Sequence, residues 1–249
     1  MIHLIVRRMA RGGFDMISSR KGLSLFLILV LILSGVQVVT ANPQAKTYIV
    51  NSDTSAADAK LGDGKCETAG GNCTLRAAIQ EANLDGVETT IKFDSPMTIN
   101  YANLPGLSEN GTVIDGSDRW DTSWDRPGVE VGEGSEPNGV LVISADSCVV
   151  RGLRFFGGHS TGIRIYNGNN NIIGGSQDHQ RNVFDTDGTS KGVWIEGNGL
   201  GNQIINNYFG TINGTSTIGM QHGIFVQASG QTIKDNLMVG ASVAGILLW

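Results

Sequence analysis

Arg164, Tyr166, Trp194, Glu196 and Phe225 are the residues of this 249-residue sequence whose types and spacing best suit a chemical task. They stand in three segments that open alike: Gly162-Ile163-Arg164-Ile165, Gly192-Val193-Trp194-Ile195 and Gly223-Ile224-Phe225-Val226. If those segments are neighbouring strands, an arginine, a carboxylate and three rings share one face. Aromatic platforms edged with polar groups fit a sugar ring, with apolar contact beneath it and hydrogen bonds at its rim. Glycan binding is the chemistry these five residues point to, with Trp194 as the main platform.

Catalysis is harder to build from the same residues. Glycoside hydrolysis needs two carboxyl groups roughly 5 to 10 Å apart, and Glu196 is the one acid on this face. Asp178, Asp185 and Asp187 precede Gly192 and could fold over the face. A polysaccharide lyase would want clustered acids for calcium and a basic group to abstract a proton, and Arg164 alone does not make that site. No catalytic residue is assigned, although a β-helix lyase or hydrolase with part of its site missing is the alternative to a binding protein.

Other motifs carry less. Gly158-His159-Ser160-Thr161-Gly162 has the spacing of a nucleophile elbow, but an elbow leads into a helix and this one leads into a strand. His3, His159, His179 and His222 are scattered, so no metal or cofactor is expected. Asp53, Asp58, Asp63 and Glu67 could offer oxygens to calcium, but not at EF-hand spacing, and read as solvated turn carboxylates. The stretch 115–127, dense in charge and holding Trp120 and Trp124, reads as an insertion held by its own ion pairs with both indoles on the wall, or else as a recognition loop.

The elements that must position these groups follow from a repeat. Five segments begin with glycine and an alternating apolar run, at Gly139, Gly162, Gly192, Gly223 and Gly245, spaced 23, 30, 31 and 22 residues apart. The unit is about 22 residues, twice enlarged by about eight, and short strands without helical periodicity argue for an all-β parallel solenoid whose turns stack. Alternation sends Val140/Val142, Ile163/Ile165, Val193/Ile195, Ile224/Val226 and Ile246/Leu248 inward. Leu141, Arg164, Trp194, Phe225 and Leu247 then face out, followed by Ile143, Tyr166, Glu196 and Gln227. A second strand recurs around Asn182, Asn207 and Asn236, which are expected to share one turn as a hydrogen-bonded ladder, asparagine tolerating left-handed backbone there. Because the chain stops one residue after the inward Leu248, the sequence reads as part of a longer protein.

Residues 1–41 read as a signal peptide, whether translation starts at Met1 or Met16. Five basic residues precede an uncharged apolar run of 11 at 23–33, too short for a span of about 20, and Val39-Thr40-Ala41 suits cleavage. Membrane insertion is not expected after cleavage. The remaining chain has 13 basic and 22 acidic residues, a net charge of −9, which disfavours nucleic acid. In an oxidising compartment Cys66 and Cys73, six turn-type residues apart, favour a local disulfide over two free thiols, and Cys148 reads as a small buried hydrophobe. Residues 74–83 carry Leu75, Ala78, Ile79 and Ala82 at helical spacing, with Asn72 or Thr74 to cap the start and Asp85-Gly86 to end it. This helix, pinned by the Cys66–Cys73 loop, would cover the first turn of the solenoid.

Thr47-Tyr48-Ile49-Val50-Asn51, Gly62-Asp63-Gly64-Lys65-Cys66 and Asn72-Cys73-Thr74-Leu75-Arg76-Ala77-Ala78-Ile79-Gln80-Glu81-Ala82-Asn83 resemble the CSLREAI domain of bacterial exported proteins, with Ala77 where the signature has Glu. Asn171-Ile172-Ile173-Gly174-Gly175, Arg181-Asn182-Val183-Phe184 and the stretch 202–211 resemble the right-handed parallel β-helix repeats that accompany it. The resemblance implies a secreted or cell-surface β-helix and assigns no activity. The expected organisation is a signal peptide at 1–41, a cap at 42–94 and a right-handed parallel β-helix at 95–249. The expected function is a non-catalytic scaffold whose partner is a polysaccharide or a surface protein.

Overall fold

Short runs of β-branched and aliphatic residues, set between glycine, asparagine and serine turns, form the strands of this protein. The computed structural model describes residues 44–100, 104–132, 139–158, 160–186 and 190–249, all within the unit Pro43–Trp249. Residues 1–41, read from the sequence as a signal peptide, lie outside them. In chain order the strands are β1 (Lys46–Val50), β2 (Thr89–Phe93), β3 (Met97–Asn100), β4 (Val113–Asp115), β5 (Trp120–Asp121), β6 (Arg126–Pro127) and β7 (Val129–Gly132). Then come β8 (Leu141–Ile143), β9 (Val149–Arg151), β10 (Leu153–Gly157), β11 (Thr161–Tyr166), β12 (Ile172–Gly174), β13 (Val183–Thr186) and β14 (Lys191–Glu196). The last are β15 (Gln203–Ile205), β16 (Tyr208–Phe209), β17 (Met220–Val226), β18 (Thr232–Lys234), β19 (Leu237–Met238) and β20 (Ala241–Leu248). One helix, α1 (Leu75–Ala82), stands between β1 and β2.

Three sheets take all but two of these strands, in the orders β1-β2-β4-β9-β12-β15-β18, β19-β16-β13-β10-β7-β3 and β20-β17-β14-β11-β8. Their strand pairs are parallel. From β9 onward the chain visits the first, second and third sheet in that order four times. β5 and β6 form an antiparallel hairpin, Trp120 opposite Pro127, inserted between the first and second sheets. The two enlarged repeats are located by this topology. One carries the 3-10 turn Asp178–Gln180 between β12 and β13, and the other a loop between β16 and β17.

Register decides which side chains meet. Ile163, Val193 and Ile224 align, as do Ile165, Ile195 and Val226, and all six are buried in one hydrophobic core. The first repeat departs from the expected faces. Leu141 and Ile143 lie opposite Ile163 and Ile165 and are buried, while Val142 lies opposite Arg164. Val140, not Gly139, is therefore the counterpart of Gly162, and a one-residue slip exchanges the two faces of a strand. On the edge strand β20, Ile246 and Leu248 are exposed.

The repeat glycines are explained by space. Phe155, Phe184 and Phe209 stack with ring centroids 5.1 and 4.8 Å apart, and the third sheet begins against that stack. A Cβ on Gly162 would come within 2.8 Å of Phe184, and one on Gly192 within 2.4 Å of Phe209. Neither close-packed ring can give way cheaply.

The asparagine ladder is present. Asn182 Nδ2 donates to Asn207 Oδ1 at 3.0 Å, and Asn207 Nδ2 to Asn236 Oδ1 at 3.0 Å. The left-handed residues are instead their predecessors Asn206 and Asp235, with φ of 55° and 57°. A second ladder, unforeseen, joins Asn171 to Asn202 at 3.0 Å, and Gln231 accepts from the Asn202 amide at 3.0 Å. Each rung satisfies buried backbone groups that the corners between sheets would otherwise strand.

Thr74 Oγ1 accepts from the Ala77 amide at 3.0 Å and caps α1, which packs on β1 and β2 with Leu75, Ala78, Ile79 and Ala82 in the same core. The helix ends at its cap Asn83, ahead of Asp85-Gly86. Cys66 and Cys73 form a disulfide, and buried Glu81 accepts from the amides of Gly62 and Gly64 at 2.6 and 2.8 Å, tying the preceding loop to the helix. No helix among the described residues is long and apolar enough to cross a membrane.

Candidate binding surface

The third sheet brings the five candidate residues together. Arg164, Trp194 and Phe225 occupy one register row across β11, β14 and β17, and Tyr166 pairs with Glu196 in the row beside it. Arg164 lies with Cζ 4.6 Å from the Trp194 ring and 5.2 Å from the Tyr166 ring, and donates from Nε to Glu196 Oε2 at 2.8 Å. Lys191 Nζ stands 5.2 Å from the Trp194 ring, and the indole N–H donates to Gln227 Oε1 at 2.8 Å. These interactions hold one interlocked strip of charge and aromatic surface.

Two of the expected roles change. Phe225 is only 7% exposed, enclosed by Trp194, His222 and Trp249, so it is a buried support and not a platform. Trp194 is half-buried with two cations against its ring, whereas Tyr166 has Arg164 alone and is 44% exposed, so the more open aromatic surface of the strip belongs to Tyr166. Burial, then the charge of Lys191, holds the His222 imidazole below its ordinary pKa. Strand pairing and residue alternation made the strip legible in sequence, whereas the cation–π contacts that occupy Trp194 depend on rotamers that no spacing reports.

Two of the three acids weighed for folding over the strip lie elsewhere. Asp185 is on β13 of the second sheet, its side chain 3% exposed, and accepts from Arg154 Nε at 2.9 Å. Arg154 also donates to Glu130 Oε1 at 2.7 Å, bridging two carboxylates. Burial pushes the Asp185 carboxyl above its ordinary range despite the arginine, but a group so enclosed is closed to a polymeric substrate. Asp178 pairs with Arg181 at 2.7 Å, and Asp187 lies outside the described residues. Ser160 leads into β11 without a helix, and His159 is outside the described residues. Burial pushes the Cys148 thiol up to about 11, which suppresses the thiolate.

Of the carboxylates weighed for calcium, Asp58 accepts from the Lys60 and Glu67 amides at 2.8 and 2.9 Å, and Asp63 from the Lys65 amide at 3.0 Å. These oxygens shape turns. Among the described residues no three of His, Cys, Asp and Glu are grouped to hold a metal ion.

The 115–127 stretch contributes the β5–β6 hairpin. Trp120 is half-buried, and Arg181, 5% exposed, lies 5.5 Å from its ring and 4.3 Å from that of Tyr208. Trp124 is 69% exposed and leaves the wall, contrary to the packing expected of it.

The chain matches no family model, no characterised protein and no solved structure.

Proposed function

We propose that this protein is an exported, right-handed parallel β-helix that acts as a non-catalytic scaffold and binds glycan at its surface. The β-helix reading is supported by the four circuits through three parallel sheets and by the preference of parallel crossovers for a right hand. The likeness of residues 47–83 to the CSLREAI signature and the signal-like residues 1–41 support export, and the disulfide is consistent with an oxidising compartment.

The observation that carries the binding role is the strip on the third sheet, where Tyr166, Arg164, Trp194, Glu196 and Gln227 are locked to one another on stiff parallel strands. A preorganised surface loses little side-chain freedom on binding a flexible polymer. Glu196 is engaged as an ion-pair acceptor, a role that suits recognition. The test is calorimetry and product analysis with a panel of purified polysaccharides. Binding without turnover is the expected result, with affinity falling at least fivefold in Tyr166→Ala while the thermal midpoint stays put. Turnover that disappears in Glu196→Gln would replace the scaffold with an enzyme.

A further inference from the structure

The β5–β6 hairpin closes one side of a cleft of about 510 Å³ against β3 and β7. That volume falls within the roughly 300 to 1,000 Å³ of small-molecule sites. Its walls are fixed before any ligand arrives. Trp120 is held by the Arg181 guanidinium, itself anchored by Asp178 and stacked on Tyr208. The Gly128 amide donates to Arg119 O at 2.9 Å, and the Met97 amide to Gly128 O at 3.1 Å, which joins the hairpin base to the sheet. A Cβ at Gly128 would stand 2.1 Å from Arg119 O, so this close approach requires glycine.

Beside the cleft one donor is left without a partner, and a carboxylate next to it keeps lone pairs beyond those that Arg154 and Thr98 engage. Arg126 Nε is buried with no acceptor among the described residues, and its Nη1 is 3.4 Å from Glu130 Oε1. Glu130 Oε2 receives the Thr98 hydroxyl at 3.3 Å. A guanidinium beside a carboxylate and a hydroxyl offers donors and acceptors side by side, which is what adjacent hydroxyl groups on one ring need. The charges lining the cleft decide the class of ligand. Arg119 and Arg126 face Asp118, Asp121 and Glu130, while Asp118 pairs with Lys92 at 2.6 Å and Glu130 with Arg154 at 2.7 Å, the latter arginine also holding Asp185, so cations and anions balance. Such a lining gives no net attraction to an anion.

We infer that this cleft is a subsite for one or two units of a neutral sugar, with Trp120 against the apolar face of the ring and Arg126 with Glu130 on adjacent hydroxyls. The inference rests on the glycan-binding reading and places a contact apart from the third-sheet strip. The probes are cellohexaose, mannohexaose and xylohexaose, with an oligogalacturonate of equal length as the anionic control. Titration of the ¹⁵N-labelled protein should shift the Trp120 indole N–H. Arg126→Gln and Trp120→Phe should each weaken the best neutral ligand at least tenfold, and Trp194→Ala should leave that indole shift in place. If a neutral hexaose binds but shifts only the Trp194 indole, and neither cleft variant changes affinity, the cleft assignment is wrong and the glycan reading survives. Tighter binding of the oligogalacturonate would overturn the neutral-sugar assignment. If no oligosaccharide binds, the glycan reading fails and the subsite falls with it.

Discussion

Asp115 shows how a single buried carboxylate is kept ionised. Its side chain is 4% exposed, and burial by itself would raise its pKa. Arg151 donates to Oδ2 at 2.7 Å and the Ser117 amide and hydroxyl donate to Oδ1, so the net effect holds the carboxyl below its ordinary value. A folded pKa below the unfolded one stabilises the protein above the unfolded pKa, and this stability is lost as pH falls through the folded value. Asp115→Asn should therefore cost about 2 kcal/mol at pH 7, because the amide nitrogen that replaces Oδ2 cannot accept from Arg151. The difference from wild type should shrink below about pH 4, where the unfolded carboxyl takes a proton before the folded one does. Denaturant unfolding at pH 7 and pH 3 checks this, and an equal difference at both would show that the charge plays no part.

At the scale of elements, the segment before β2 depends on covalent and hydrogen-bonded ties more than on length. α1 has only eight residues, too few to persist alone in water, and is held by burial of its apolar face, by Thr74 and by the Cys66–Cys73 loop. Closing so short a loop restricts the unfolded chain and contributes about 2 to 3 kcal/mol. Reduction should lower the thermal midpoint by several degrees, while Cys148→Ser changes nothing in that shift because Cys148 is free and buried. An unchanged midpoint after reduction, verified by mass, would show that the loop is held without the bond.

At the scale of the whole molecule, the buried residues of α1 and of the three sheets belong to one continuous core, and the described residues form one unit. Loss of the helix should therefore accompany loss of the strands. Thermal unfolding followed by far-UV circular dichroism and by tryptophan fluorescence should give coincident curves. A helix that melts at least 10 °C before the strands would mean that the first circuit is energetically separate, as repeat arrays with weak neighbour coupling can be.

How much was legible before the structure varies with the range of the interaction. Strand alternation, the helix at 75–82, the disulfide and the 182–207–236 ladder are governed by neighbours in sequence or by a repeat, and all are present. The second ladder was missed, although it left a signal: Asn171, Asn202 and Gln231 each stand two residues before a buried or half-buried isoleucine, at Ile173, Ile204 and Ile233. The face of β8 was not legible, since Gly139 mimics the repeat glycine and only pairing with β11 shows that Val140 takes that place. Nor could spacing show that Arg164 and Lys191 would occupy the Trp194 ring, or that Arg181 would reach from a distant turn to hold Trp120. Local sequence determined where strands and turns form, because alternation and backbone preference act over a few residues. Which aromatic rings remain open, and where a cleft lies between hairpin and sheet, was decided by long side chains meeting across circuits about 30 residues apart.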